Sequence, residues 1–264
     1  MKIKKLITAV LLLTLILSLA GGCSGKDPEI PQSDPGDANY FIFNIRDFGT
    51  ITVKLYPEYA PETYALFVAN VREGFYNGRN FHRIISDFMM QGGAYSASGA
   101  SNPDRPTVFT ETHPDARHYY GALCLAANYL GYGGDSFYIV NNNNTNVIEE
   151  RIGNILEQFE LEDTYRMMYD DEIVDDYFNR LQGQLDSLYA IPENVKARYA
   201  EVGGTPELDD DYTVFGYTVD GFDVIDAVSA VETILSDPAN PGSEKSKPTR
   251  DIIIEWAIVK TALD

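Results

Sequence analysis

The feature of this chain that most constrains its fold is a close succession of short strand-forming segments. The segment YFIFNIRDFGTITVKLYP predicts two strands, over residues 40–46 and 50–56, because its apolar and polar residues alternate. The segment NGRNFHRIISDFMMQGG, residues 77–93, predicts a strand, a turn and a second strand. The whole pattern predicts about eight strands, which indicates a mainly β fold that is either a closed barrel or a sandwich.

Two short helices accompany the predicted strands. Pro61 begins the first, in which Tyr64, Phe67, Val68 and Val71 form one apolar stripe at helical spacing. The segment GFDVIDAVSAVE predicts the second helix, shortly before the final strand DIIIEWAIVK.

The character of the chain changes over about residues 147–200. Apolar residues recur there at helical spacing, and the segment is rich in acidic residues. Strand character returns with DYTVFGYTV. We therefore expect one domain, residues 40–264, that is interrupted by an α-helical insertion at about 147–200.

The acidic balance excludes some classes of partner. The formal net charge is −20, whereas nucleic-acid binding requires a basic surface. With three histidines and no cysteine cluster, the sequence offers no metal site. We expect no nucleic-acid partner, no metal and no cofactor, and we expect Cys124, in GALCLAA, to be a small buried hydrophobic residue.

The N-terminus predicts export and a lipid anchor. The basic start MKIKK precedes an apolar run of signal-peptide length that ends in AGGC. Small residues before a cysteine resemble the lipobox of bacterial lipoproteins, although Ala20 stands where leucine is usual. We expect a lipoprotein signal peptide over 1–22, lipidation of Cys23 and a polar tether over 23–39. The alternative is an ordinary secretory signal cleaved near Gly22.

Arg83 lies inside an apolar strand segment, in a chain with twice as many acidic as basic residues. On a regular strand, Phe81, Arg83 and Ile85 project to one face, and His82 to the other. The structural interpretation of Arg83 is an ion pair with one of the many carboxylates. The functional interpretation depends on the residues around it.

Those residues carry a family resemblance. FHRIISDFMMQGG strongly resembles the signature of the cyclophilins, a class of peptidyl-prolyl isomerases. APETYALFVANVREGFYNG, GALCLAAN, GGDSFYIV and LDDDYTVFGYTVDGFDVIDAV are similar to further segments of that family, in the same order. The resemblance covers about 40–140 and 203–262, which is nearly everything outside the leader, tether and insertion.

The resemblance implies a fold and a set of site residues. The fold is a cyclophilin-like eight-stranded antiparallel barrel capped by two helices, here with an α-helical insertion before Leu208. Arg83 and Gln91 correspond to catalytic positions. The substrate-binding positions of the family fall on Phe88, Met89, Ala126, Tyr138 and Leu208.

The chain also departs from the best-known family pattern at four positions. They are Ala127, Ser136, Glu207 and Tyr212, where the family usually has asparagine, glutamine, tryptophan and histidine. The first two changes remove hydrogen bonds to substrate, each worth about 1 kcal/mol. We therefore expect lower or shifted activity. Glu207 in place of tryptophan removes a large apolar contact and a donor, so we do not expect strong binding of cyclosporin.

The leading hypothesis is a lipid-anchored, extracytoplasmic peptidyl-prolyl cis/trans isomerase. Its partners are proline-containing segments of exported proteins and, through Cys23, the membrane. One alternative is a catalytically weak peptide-binding module on the cell surface. Another is a holdase chaperone, which predicts exposed apolar side chains over residues 148–190.

Overall fold

The computed structural model describes residues 30–94 and 99–263. Within it, Gln32–Asp264 form one compact unit. The predicted signal peptide, Cys23 and most of the predicted tether lie outside the described residues. No helix of the described part is long and apolar enough to cross a membrane.

The end of the predicted tether contacts the body of the protein. Ser33 accepts a hydrogen bond from the backbone of Val259, and the Asp34 carboxylate accepts one from the backbone of Thr261. Ala38 is buried. Residues 33–39 therefore lie along the last strand, where they satisfy backbone groups at an edge of the sheet that would otherwise be open.

Eleven strands are described, and the first two match the predicted ranges 40–46 and 50–56 within one residue at each end. The eleven strands are β1 Tyr40–Ile45, β2 Gly49–Leu55, β3 Phe81–Ile85, β4 Met89–Gly92, β5 Val108–Phe109, β6 Ala122–Ala127, β7 Tyr132–Val140, β8 Val214–Asp220, β9 Thr233–Leu235, β10 Lys245–Pro248 and β11 Ile254–Lys260.

Eight of these strands form one curled antiparallel sheet in the order β11-β1-β2-β8-β6-β7-β4-β3, and β5 pairs with β7. The starts of the two edge strands meet at a bridge between Asn80 and Ile253, and the backbone N–H of Phe81 donates to the Ile252 carbonyl at 2.9 Å. The mainly β, eight-stranded antiparallel architecture is therefore confirmed, in the form of a half-barrel. β9 and β10 form a separate hairpin beside it.

Six α-helices are described besides the strands. Their bounds are α1 Pro61–Arg72, α2 Val147–Glu160, α3 Glu162–Met168, α4 Asp171–Ala190, α5 Glu193–Val202 and α6 Phe222–Ser229. Helices α1 and α6 are the two predicted body helices, and α2 to α5 make up the predicted insertion. Asn146, Asp170 and Pro192 stand at the starts of α2, α4 and α5.

An aromatic cluster fills the space between the sheet and α1. Phe41 of β1 contacts Phe67 of α1 edge-on at 4.9 Å between ring centroids, and Phe137 of β7 lies 5.9 Å from Phe41. All three rings are buried. Since edge-on aromatic packing adds to the free energy of burial, this cluster fixes α1 against the concave face of the sheet.

The insertion has a small core of its own and a second contact with the half-barrel. Within the insertion, Ile155 of α2 packs with Val174 and Phe178 of α4. Towards the sheet, Tyr199 of α5 is fully buried and stacks against Tyr119 at 4.7 Å. The half-barrel therefore includes α5 in its packing.

The first part of β3 departs from the regular alternation that the sequence predicts. Its pairing with β4 shifts between Phe81 and Arg83, which marks a bulge. As a result Phe81 and Ile84 are both buried in the main core, whereas Arg83 and Ile85 face outward. The prediction that Phe81 shares a face with Arg83 is therefore wrong, because the bulge inserts one extra residue between them.

Candidate active site

The β3–β4 hairpin places the candidate catalytic pair side by side. Arg83 and Gln91 are direct cross-strand partners in the register of β3 and β4. The tight turn that joins the strands includes Asp87 in the left-handed region, with φ of 58°. Gly92 follows, where a Cβ atom would lie 2.8 Å from the Phe81 ring, so the strands approach each other closely only because this residue is glycine.

A cavity of about 140 Å³ opens beside this pair. The seven described residues that the sequence assigned to the site all line it. They are Arg83, Phe88, Met89, Gln91, Ala126, Tyr138 and Leu208, joined by Ala127 and Tyr212. Strands β3, β4, β6 and β7 and the loop after the insertion each contribute to the wall, so the site depends on the whole curled sheet.

The wall of this cavity is largely apolar. Phe88, Met89, Ala126 and Leu208 belong to a hydrophobic cluster separate from the main core. Met89 is almost fully buried, and the Arg83 guanidinium lies over the Phe88 ring at 5.9 Å. An apolar concavity with one cationic donor at its edge suits a small hydrocarbon ring attached to a polar backbone.

The guanidinium of Arg83 makes different contacts at its two edges. Its Nε and Nη2 atoms donate to the two carboxylate oxygens of Glu244, at 2.7 and 2.6 Å. Its Nη1 atom lies 3.5 Å from Gln91 Oε1 and 3.5 Å from Met89 Sδ. Glu244 therefore binds the outer edge of the group, and Nη1 remains on the side of the cavity.

The sequence did not indicate Glu244 as a residue of the site. This residue lies 161 positions from Arg83 and directly before β10, in a hairpin that the sequence did not predict. The Arg83 guanidinium, and after it a hydrogen bond from Ser246, hold the pKa of the Glu244 carboxyl below its ordinary value. Glu244 is therefore a charged partner of Arg83 at neutral pH.

A chain of hydrogen bonds connects the Tyr138 wall of the cavity with the insertion. His118 is fully buried, with Nε2 at 3.0 Å from the Tyr138 hydroxyl and Nδ1 at 3.0 Å from Asp209 Oδ1. The Tyr199 hydroxyl donates to Asp209 Oδ2 at 2.7 Å. Because Asp209 follows Leu208 in the chain, α5 is connected to two walls of the cavity.

His118 was not among the residues that the sequence assigned to the site. Only the folded structure brings it between Tyr138 and Asp209, which lies 91 residues further along the chain. Desolvation raises the pKa of Tyr138 well above its ordinary value, and of Tyr199 likewise. Both hydroxyls therefore stay protonated and serve as hydrogen-bonding groups.

His82, next to Arg83, does not line the cavity that holds the candidate catalytic pair. Burial, and after it the positive charge of Arg83, lower its pKa below the ordinary value. It lines a second cavity of about 590 Å³ on the far side of the Arg83–Glu244 pair. Among the described residues, no group of three or more histidine, cysteine or acidic side chains is arranged to hold a metal ion.

The four departures from the family pattern divide into two groups. Ala127 and Tyr212 line the cavity. Ser136 is buried in β7, and Glu207 faces the insertion, where its carboxylate lies 3.8 Å from Arg151. Glu207 thus lines a separate cavity of about 610 Å³ between the insertion and the loop 206–211.

Comparison with known proteins gives one consistent family. The profile of the family described as "Cyclophilin type peptidyl-prolyl cis-trans isomerase/CLD" matches residues 40–172 and 194–258. A Staphylococcus saprophyticus protein described as a candidate peptidyl-prolyl cis-trans isomerase is 31% identical over 212 residues, which are 78% of this chain and 85% of that protein. A Staphylococcus aureus protein with the same description is 32% identical over 210 residues, again 78% and 85% of the two chains.

Solved structures show the same fold. A cyclophilin type peptidyl-prolyl cis-trans isomerase of Cryptosporidium parvum, solved in the presence of the dipeptide Ala-Pro, aligns with a TM-score of 0.53 at 16% identity. That alignment covers 84% of this chain and 99% of the other. The profile match, the relatives and the half-barrel lead to one conclusion: the chain belongs to the cyclophilin-type peptidyl-prolyl cis-trans isomerases.

Proposed function

We propose that this isomerase accelerates rotation about Xaa–Pro bonds by donating a hydrogen bond from Arg83 to the prolyl nitrogen of the twisted amide. The observation that carries the proposal is the position of Arg83 Nη1. It lies on the cavity side of a guanidinium whose other edge is bound by Glu244. The remaining walls of that cavity are mostly hydrocarbon.

The chemistry of the reaction explains why one donor is useful. Rotation about a peptide bond is opposed by a barrier of about 18–20 kcal/mol, because the C–N bond has partial double-bond character. In the twisted transition state the nitrogen loses conjugation, and its lone pair becomes a hydrogen-bond acceptor. A donor aimed at this nitrogen stabilises the twisted form more than either planar form, which is the requirement for a faster reaction.

The other lining residues have supporting roles in this proposal. Phe88, Met89 and Leu208 receive the proline ring, with Tyr138 and Ala126 as further walls. Gln91, the cross-strand partner of Arg83, steadies the Nη1 side and contacts the substrate backbone. Rotation about an amide bond requires no nucleophile, no proton transfer and no metal ion.

The altered positions modify the peptide preference. Ala127 lines the cavity without a side-chain amide, so its side chain offers no hydrogen bond to a substrate backbone. Tyr212 lines it with an aromatic ring. We infer a site with fewer polar contacts to the substrate and more apolar surface than the usual family pattern, and so a preference for peptides that are apolar next to proline.

Two assays test the activity: isomerisation of a peptide, and refolding of a protein whose refolding rate is limited by Xaa–Pro isomerisation. Xaa–Pro isomerisation is slow without a catalyst. We expect the protein to accelerate both reactions, and to act faster on peptides with leucine or phenylalanine before proline than with glutamate. Rates equal to the uncatalysed reactions would contradict the proposal. Equal rates for all peptides would contradict only the preference.

We further propose that the enzyme acts outside the cytoplasm, anchored by a lipid on Cys23, on exported proteins. The support is the basic start, apolar run and AGGC of the sequence, since these residues lie outside the described part of the structure. Fractionation of expressing cells tests the anchor. We expect wild type in the membrane fraction and Cys23→Ala released from it; equal distribution of the two proteins would contradict the anchor.

A second candidate function, holding unfolded chains, is favoured by one observation. Where α3 meets α4, large apolar side chains are exposed, among them Met167 at 79%, Met168 at 66% and Ile173 at 59%. Replacing these three by serine should then weaken suppression of aggregation of an unfolded client without altering peptide isomerisation. Unchanged suppression would rule out this surface.

A further inference from the structure

The β9–β10 hairpin brings one carboxylate to the candidate catalytic arginine. Glu244 stands directly before β10, and its carbonyl oxygen accepts a hydrogen bond from the backbone of Ser236 across the hairpin, at 2.7 Å. Ser246, which is buried, also lowers the pKa of the Glu244 carboxyl, after the larger effect of Arg83. The carboxylate is therefore held by its own hairpin as well as by Arg83.

The pairing with Arg83 is bidentate and does not involve the Nη1 atom of the guanidinium. Two parallel hydrogen bonds, from Nε and Nη2, fix both the position and the plane of the group. Nη1 stays on the side of Gln91 and Met89, at 3.5 Å from each. The Arg83 side chain is about one-third exposed, so without a partner it would be free to turn towards solvent.

We propose that Glu244 is a positioning residue for the isomerase reaction, which holds the Arg83 guanidinium so that Nη1 points into the proline cavity. This inference rests on the proposed role of Arg83. The pair also forms a partition, because Arg83 lines both the 140 Å³ cavity and the neighbouring 590 Å³ cavity, and Glu244 lines the latter.

Two opposing effects decide whether Glu244 raises or lowers the rate of isomerisation. The carboxylate reduces the electrostatic attraction of the guanidinium for a substrate oxygen, which would favour an enzyme without Glu244. Against this, a donor that already has the right orientation loses less conformational freedom when the transition state forms. The target of Arg83 is a neutral nitrogen lone pair rather than an anion, so orientation outweighs net charge at this site.

The test compares Glu244→Ala and Glu244→Gln with wild type in the full chain, using an Xaa–Pro peptide. We expect kcat to fall about tenfold in Glu244→Ala, with KM within about twofold, because a misplaced group affects the transition state more than the bound ground state. Glu244→Gln, which can accept one of the two hydrogen bonds, should have an intermediate kcat. A kcat of Glu244→Ala equal to or above that of wild type would overturn the proposal.

Glu232→Gln is the matched control, since Glu232 is an exposed acidic residue directly before β9 of the same hairpin. It removes the same charge from the same element and should leave kcat unchanged. If Glu232→Gln slows the reaction as much as Glu244→Gln, the effect comes from the overall charge, and the positioning role fails.

Two further measurements separate positioning from a structural effect. In wild type the Arg83 Nε–H should exchange slowly with water by NMR, and in Glu244→Ala it should exchange fast. In an Arg83→Ala background, Glu244→Ala should have no further effect on kcat, because the pair acts as a unit. A further loss in that background would overturn the proposal.

The outcomes also distinguish this inference from the proposed function. If Arg83→Ala leaves the rate unchanged, the mechanism proposed for Arg83 fails, and Glu244 has nothing to position. If Arg83→Ala slows the reaction and Glu244→Ala does not, only the positioning role fails.

Discussion

At the scale of single residues, Arg83 combines the two interpretations that its sequence context allows. It forms an ion pair with Glu244 and it also lines an apolar cavity. A planar guanidinium can do both because its donors lie on separate edges. An arginine in an apolar strand can therefore have a structural role and a functional role at the same time.

Sequence and structure differ most in the partners of the site residues. Arg83 and Gln91 could be found from the sequence because one short hairpin carries both. Glu244 could not, because it lies 161 positions from Arg83, and His118 could not, because its partners Tyr138 and Asp209 lie 20 and 91 positions away. No local pattern encodes such contacts.

Gln91→Ala tests the support on the Nη1 side of Arg83. The change removes the amide oxygen that lies 3.5 Å from Nη1 and a polar contact for the substrate backbone. We expect a loss in kcat/KM of about tenfold, which corresponds to about 1.4 kcal/mol. The measurement is peptide isomerisation, with Gln182→Ala on the exposed face of α4 as a control that should leave the rate unchanged.

At the scale of elements, strands with clear alternation and the Pro61 helix were predictable, and irregular elements were not. β1, β2 and α1 follow from periodicity, since one face of each is buried. The bulge in β3 and the short hairpin β9–β10 leave no periodic signal. These two irregular elements position Arg83, so the geometry of the site was less predictable than the sheet.

The insertion contacts the half-barrel through α5. Because Tyr199 is fully buried and donates to Asp209, a deletion of residues 147–200 would remove part of the support of the cavity as well as the helices. The insertion and the half-barrel are therefore coupled, and α5 should be kept when the outer helices are removed.

Tyr199→Phe tests this coupling with a change of one atom. It removes the donor to Asp209 Oδ2, whose side chain is almost fully buried. We expect unfolding to become easier by about 1–3 kcal/mol, because a buried acceptor loses its partner. We also expect a higher KM for proline peptides, since Asp209 adjoins Leu208 and, through His118, supports Tyr138.

The measurements are urea unfolding and peptide isomerisation. Tyr189→Phe on α4, where the ring is mostly exposed, is the matched control and should behave like wild type. If Tyr199→Phe is as stable as wild type, the buried hydrogen bond contributes nothing and the coupling is absent.

At the scale of the whole molecule, the half-barrel encloses several buried groups that resist deprotonation. Desolvation raises the pKa values of Tyr138, Tyr199 and Tyr217 above the ordinary tyrosine value of 10.0, and that of Cys124 above 9.0. Their protonated forms belong to the folded state, whereas the unfolded chain deprotonates near the ordinary values.

The free energy of unfolding should therefore fall at alkaline pH. Above about pH 9 the unfolded state binds fewer protons than the folded state, so stability decreases as pH rises. Between pH 7 and 11, the midpoint temperature of thermal unfolding should at first stay constant and then fall as pH rises. The fall should be less steep in Tyr199→Phe. A midpoint that stays level to pH 11 would contradict the burial of these groups.

The central claim, that Arg83 stabilises the twisted prolyl amide, is tested most directly by the kinetics of Arg83→Ala. Peptide affinity and exchange rate are measured together by NMR, with Arg83→Lys as the variant that keeps the charge but not the planar donor. We predict that Arg83→Ala lowers kcat about a hundredfold or more with little change in affinity, and that Arg83→Lys restores only part of it. A kcat for Arg83→Ala equal to that of wild type would contradict the account.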